Sequence, residues 1–150
     1  VSVLFSRIAM ITPEGTTVLG EAVSRFAKSV TKPGLAVLLS DFFDPEGWKR
    51  ALSALAYTGF DCMAIQIVGP EEAGAGERGA AVVVDSETGK RHRLYINRRV
   101  QEAYTSEFED HCSRIQGFCL SRGIEYVRVF TQVPLESLLL QYLRQGIHLR

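Results

Sequence analysis

Leu35-Ala36-Val37-Leu38-Leu39-Ser40-Asp41-Phe42-Phe43-Asp44 is the stretch on which the fold turns. Five apolar residues run without alternation into a serine and an aspartate. A run of that kind predicts a strand buried on both faces, as inside a parallel sheet. Asp41 falls at its carboxyl end, the edge at which open α/β sheets bind ligands. Asp44-Pro45-Glu46 then reads as a helix start: a capping side chain, a proline at the first helical position and an acidic first turn.

The flanking segments repeat the theme. After this start a helix is expected over about 45–58, with Trp48, Leu52, Leu55 and Ala56 inward and Gly59 as its terminator. Residues 60–68 read as a second buried strand. Upstream, residues 2–11 carry Leu4, Phe5, Ile8 and Ile11 at helical spacing, and Pro13 with Gly15 makes a turn. Thr16 or Thr17 is expected to cap a helix over about 18–30, whose apolar face is Val18, Ala22, Val23, Phe26 and Val30. The order α-β-α-β with short connections predicts a parallel sheet with crossover helices.

Residues 69–79 form a breaker-rich loop without the Gly-Lys-Ser/Thr ending of a phosphate loop. Residues 80–86 and 91–96 predict a β-hairpin, turned at Glu87-Thr88-Gly89-Lys90, that is added to the parallel frame. His92 on its second strand is read as solvated. A long helix over about 97–121 follows. Its stripe of Val100, Tyr104, Phe108, His111, Ile115 and Phe118 is assigned to the core, with His111 hydrogen-bonded there. Residues 124–130 are a third frame strand, whose partial alternation places it nearer a sheet edge. A last helix opens at Val133-Pro134 and presents Leu135, Leu138, Leu139, Tyr142 and Leu143.

The whole chain bounds the function. Its 150 residues suffice for one domain with a core. Lys plus Arg equals Asp plus Glu at 17 each, which argues against bulk-charge binding to nucleic acid and leaves self-association unopposed by charge. The three cysteines, Cys62, Cys112 and Cys119, lack a disulfide framework and lack metal-ligand spacing. They are expected to be core thiols in a reducing cytoplasm. No stretch approaches the ~20 apolar residues of a membrane helix, and no leader pattern is present.

One constellation can carry chemistry. The hydroxyls of the Gly15-Thr16-Thr17 turn and the Ser40-Asp41 strand end are expected at the same sheet edge. Oxygen donors so placed suit a hard cation such as Mg²⁺ that keeps several waters. Two side chains make an incomplete site, and no DxSxS motif stands in the chain to complete it. An aspartyl nucleophile at Asp41 is the enzyme alternative, but Phe43 stands where a haloacid-dehalogenase-like Asp-x-Asp site has its general acid. GxSxG and HExxH are absent, and His92, His111 and His148 fall in a hairpin, a helix stripe and a tail.

The stretch 15–23 followed by 35–41 resembles the second half of a von Willebrand factor type A domain. The later SDFFDPEGWKRALSALAYTGFDCMAIQIVGPEE, then VVVDSETGK, then RVFTQVPLESLLLQYLR, is similar to the bacterial domain-of-unknown-function 58 family. The hairpin motif of that family falls on Asp85, Glu87, Thr88 and Gly89. The resemblance spans about residues 4–145. It implies a doubly wound, mainly parallel α/β fold, a single domain over 1–150 that lacks the first, DxSxS-bearing strand. It also implies a partial metal-ion-dependent adhesion site, with Thr17 (or Thr16) and Asp41 as metal-side residues and Ser40 as a neighbour. Mg²⁺ would serve the intact parent, without tight binding by this chain. The implied function is protein–protein interaction as a bacterial scaffold, not catalysis, with a MoxR-type AAA+ ATPase as a possible partner and no nucleic acid or direct membrane contact. The setting would be cytoplasmic, with any membrane anchor upstream. A phosphoryl-transfer or phosphatase-like enzyme using Asp41 is the alternative. Without its neighbouring strand, 35–40 is expected to become an open edge prone to self-association.

Overall fold

The computed structural model describes residues 2–12, 18–32, 34–44, 47–74, 76–84 and 89–134. Ten elements follow one another: α1 (Ser2–Ala9), α2 (Leu19–Ser29), β1 (Leu35–Ser40), α3 (Gly47–Ala56), β2 (Asp61–Val68), α4 (Pro70–Ala73), β3 (Gly79–Val84), β4 (Arg91–Ile96), α5 (Arg98–Leu120) and β5 (Glu125–Phe130). The class is α/β. β1, β2 and β5 form a parallel sheet in that order, and β3 pairs with β4 in a separate antiparallel ribbon. The expected last helix from Leu135 onward, the turn residues Thr16 and Thr17, and Asp85, Glu87 and Thr88 of the hairpin lie outside the described residues.

Parallel register fixes which side chains share a face. Leu35 lies opposite Asp61 and Ser40 opposite Gln66, while Ala64 lies opposite Tyr126 and Gln66 opposite Arg128. Ala36, Cys62 and Ala64 therefore point to one side. There they join Trp48, Leu52 and Leu55 of α3 and Ile115 and Cys119 of α5 in the main core. The amphipathic periods explain this arrangement. α3 buries Trp48, Ala51, Leu52 and Leu55, and α5 buries Phe108, Cys112, Ile115 and Cys119, both at spacings of three and four.

The other face of the sheet corrects an expectation. Leu35, Val37 and Leu39 are 53%, 43% and 59% exposed, so β1 is not buried on both sides. β1 is an outer strand and β2 the central one, and no described element covers that end of the face. An unbroken apolar run reports that both faces are oily. It does not report that both are covered.

Local chemistry sets the ends. Gly59 and Gly123 terminate α3 and α5 at φ +73° and +68°, a backbone region nearly closed to other residues. Asn97 caps α5 by accepting from the Val100 N–H at 3.0 Å. α2 departs from the expected threonine cap: Val18 holds the cap position and no side-chain bond is made there. Its hold comes from packing instead. A Cβ on Gly20 would lie 3.1 Å from the Gly47 carbonyl, so the bare glycine lets α2 lie close against α3. The 69–79 loop also contains a feature not anticipated, the single turn α4, stapled by the Gly69 N–H donating to the Glu72 carboxylate at 2.6 Å.

Candidate functional site

The loop leaving β1 is built from its own side chains. Ser40 Oγ accepts the Phe42 N–H at 3.0 Å, and Asp41 Oδ1 accepts the Phe43 N–H at 3.1 Å. Two successive local turns of this kind, each mimicking a backbone turn, fold the chain sharply at the carboxyl edge of the sheet. Phe42 takes φ +60° and is fully buried. A bulky residue in that region holds strain that its surroundings must over-determine. Three bonds do so. Gln66, fully buried on β2, donates Nε2 to the Asp41 carbonyl at 3.1 Å. Tyr126 of β5 donates its hydroxyl to Gln66 Oε1. His111 of α5 donates Nε2 to the Phe42 carbonyl at 3.0 Å. Burial, with the Cys112 thiol adding to it, pushes the Tyr126 phenol above its ordinary value.

Beyond the loop, Asp44 Oδ1 accepts the Gly47 N–H at 2.9 Å, so the expected cap of α3 is in place. A side chain at Gly47 would collide with that carboxylate.

Asp41 is exposed and at the expected strand end. One of its carboxylate oxygens is spent within the turn and also takes a 3.4 Å bond from Ser40 Oγ. Among the described residues its remaining oxygen makes no hydrogen bond, and the side chain is exposed. One carboxylate oxygen is too few for a protein cage, so any hard cation held here would keep most of its water shell. Among the described residues no group of three His, Cys, Asp or Glu side chains gathers to hold a metal.

His111 is hydrogen-bonded, as expected, but lies at the margin of the core rather than within it. It is half-buried, its ring stacks on Phe43 with centroids 5.9 Å apart and planes 5° from parallel, and Trp48 meets it edge-on at 6.2 Å. These rings, with Phe108 and Tyr104, wall a cleft of about 440 Å³ at the end of the sheet. Trp48 and Phe108 form its buried floor, while Phe43 and Tyr104 stand at its mouth, 41% and 39% exposed. Lys49 Nζ lies 5.4 Å from the centre of the Trp48 ring, and Arg114 binds Glu107 at 2.9 Å on the rim. Tyr104 donates its hydroxyl to the Glu72 carbonyl at 2.8 Å, tying α4 to α5. Burial, and then the Glu72 carboxylate, raise its phenol above the ordinary value.

The sequence carries this cleft only as fragments. Tyr104, Phe108 and His111 fit a core stripe, and Phe43 is read only as the residue standing where an Asp-x-Asp site has its acid. The signal that could have found it is an aromatic pair after a strand end together with an aromatic–histidine spacing on one helix. Such a signal says nothing about the two facing each other until α5 packs beside α3. The three thiols are buried and unpaired, as expected for core cysteines. His92 is exposed on β4.

Comparison with known proteins brings a family match. The model of the family described as "Protein of unknown function DUF58" matches residues 1–114. A relative from Mycobacterium avium, "Uncharacterized protein MAV169", is 27% identical over 93 residues, covering 62% of this chain and 54% of its own length. The chain thus spans about half the length of that relative. A crystal structure of the conserved hypothetical protein BatB from Bacteroides thetaiotaomicron aligns with 91% of this chain and 62% of its own, at 19% identity and a TM-score of 0.38. No helix among the described residues is long and apolar enough to cross a membrane.

Proposed function

Because the chain belongs to the DUF58 family of proteins of unknown function, we propose that it acts by contact with another protein rather than by turnover. The reading is of a doubly wound, von Willebrand A-type module serving as a bacterial scaffold. Its contact edge is the carboxyl end of β1. The observation that carries it is Asp41: an exposed carboxylate on a turn locked from behind by Gln66 and His111. A rigid, solvent-facing oxygen at this edge can join a water-rich Mg²⁺ to an acidic group on a partner. Thr17 (or Thr16) would supply the second oxygen, and Ser40 holds the turn. A MoxR-type AAA+ ATPase is the partner class that the family resemblance suggests.

Supporting contact over catalysis, Asp41 has Phe43 two residues on, its ring stacked on His111, so no carboxylic acid stands where aspartyl phosphotransferases need one. The outer position of β1, with apolar side chains exposed on one face, also supports self-association along that edge.

The test is calorimetric titration of Mg²⁺ or Mn²⁺ into the chain, alone and joined to any residues that precede Val1 in its gene. Saturable binding that Asp41→Ala removes is expected in the extended form, and weak binding at most in the chain alone. Binding indifferent to Asp41→Ala, or none in either form, refutes the metal-bridged contact. Hydrolysis of a generic phosphate ester that disappears in Asp41→Asn would move the assignment to the enzyme class.

A further inference from the structure

We propose that the aromatic cleft between α3 and α5 is a second recognition site, and that it takes one bulky apolar side chain flanked by carboxylates on an acidic segment of a partner protein. That the occupant belongs to a protein rests on the contact reading above; the chemistry of the cleft is independent of it.

The shape sets the first requirement. A hollow of about 440 Å³ is at the small end of ligand pockets and of a size for a side chain with its adjoining backbone. Trp48 and Phe108, almost wholly buried, close its base, and the ring surface it offers is that of Phe43 and Tyr104. Aromatic walls of this kind favour an offset or edge-on ring, or a large aliphatic group. Phe43 at the mouth lies 6.3 Å from Phe108 and parallel to His111, so it narrows the entrance without filling it.

Charge sets the second requirement. The walls bring Lys49, Arg114 and one carboxylate, Glu107. Glu107 is already bound to Arg114 at 2.9 Å. Lys49 lies over the Trp48 ring, where the π face would otherwise welcome an incoming cation. A cationic ligand therefore meets an occupied face and the Lys49 ammonium, while Arg114 and Glu107 offset one another. A carboxylate meets Lys49, where opposite charge favours encounter and register.

The strain points the same way. Phe42 holds φ +60° while its carbonyl binds His111, and this places Phe43 at the mouth. Residues forced into sparsely allowed backbone cluster at ligand clamps because the surroundings hold them ready. The loop that aims Asp41 outward also aims Phe43 over the cleft, so a partner touching Asp41 has an anchor point within the same few residues.

Trp48 is the sole tryptophan of the chain, so its fluorescence reads the cleft directly. The probes are blocked peptides without tryptophan: acetyl-Asp-Phe-Glu-amide, acetyl-Lys-Phe-Lys-amide and acetyl-Asp-Ala-Glu-amide, each titrated into the full chain. The acidic phenylalanine peptide is expected to shift Trp48 emission saturably. The lysine and alanine peptides should bind at least tenfold more weakly. Phe43→Ala and the charge reversal Lys49→Glu should each weaken the acidic peptide by a similar factor. Lys49 is on the surface, so that variant keeps the fold should Phe43→Ala disturb it. No saturable response, equal binding of all three peptides, or preference for the lysine peptide overturns the proposal. Every titration is run with Mg²⁺ and with a chelator. Cleft binding is unchanged between them, so failure of the metal-bridged contact and failure of the cleft are read separately.

Discussion

Replacing Gln66 by leucine tests whether the β1 loop is held from inside the sheet. The amide is fully buried and makes two bonds, donating to the Asp41 carbonyl at 3.1 Å and accepting from the Tyr126 hydroxyl. Leucine has nearly the same volume, so no large cavity opens, and the burial cost of the amide disappears. Against that gain, two polar groups lose their partner. A net hydrogen bond is worth about 1 kcal/mol, and an orphaned buried partner costs about 1–3 kcal/mol. The Asp41 carbonyl sits beside an exposed residue and can turn to water, which holds its share to the low end. The Tyr126 hydroxyl is half-buried and cannot do so fully. The sum is a loss of about 2 kcal/mol, or roughly 4–8 °C in Tm for a chain of this size. Tyr126→Phe removes only the outer bond and should cost about 1 kcal/mol. Because the two residues share that bond, the double variant should fall short of the sum by about 0.5–1 kcal/mol. Urea unfolding followed both by Trp48 emission and by far-ultraviolet circular dichroism measures all three. A Gln66→Leu protein as stable as the wild type, with costs strictly additive to Tyr126→Phe, would refute the reasoning.

Two further outcomes follow from the same structure. If β1 is an open pairing edge, the light-scattering mass should rise above the 16.6 kDa of one chain as concentration increases. Val37→Lys, at an exposed position of that strand, should abolish the rise, since lysine is a natural guard of sheet edges; a wild-type mass constant at all concentrations excludes the association. The cysteines give the pH dependence. Burial, only partly offset by Arg122, pushes the Cys119 thiol from 9.0 up to about 11. The fold therefore favours the neutral thiol, and the unfolded chain loses its proton first. This contribution to stability is complete below about pH 9 and fades as pH rises towards 11. Cys119→Ala should flatten that part of the stability profile, and native Cys119 should resist alkylation until the chain unfolds. A profile unchanged by Cys119→Ala from pH 9 to 11 would show that another group governs it.

The frame of the fold was legible because its signals are local. Gly59 is expected to end α3 and Gly89 to lie in the hairpin turn, and each has φ near +70°. Asp44 was expected to cap α3, and it does. The hairpin strands, the long helix and the third frame strand fall where alternation and helical spacing placed them. The errors share a cause. Val18 replaced a threonine at the α2 cap because α2 is held by its contact with α3 at Gly20, which no capping rule weighs. β1 proved half-exposed because coverage of a face depends on which element lies over it. α4 formed in a glycine-rich loop through a single carboxylate reaching back to an amide.

The site divides along the same line. Asp41 at a strand end was readable, since an apolar run ending in a polar pair marks the carboxyl edge of a sheet. Its locked turn was not, because Gln66 is 25 residues away and His111 is 69 residues from Phe42. By itself the sequence determined the elements, their order, the residues that terminate them and the aspartate at the edge, all set by backbone sterics and apolar periodicity within a few residues. Only the tertiary structure decided which apolar face stays uncovered, and that Phe43, Trp48 and His111 meet around a cleft. Those outcomes depend on register between strands and on the packing of α5 beside α3, which bring together groups whose separation along the chain carries no local signal.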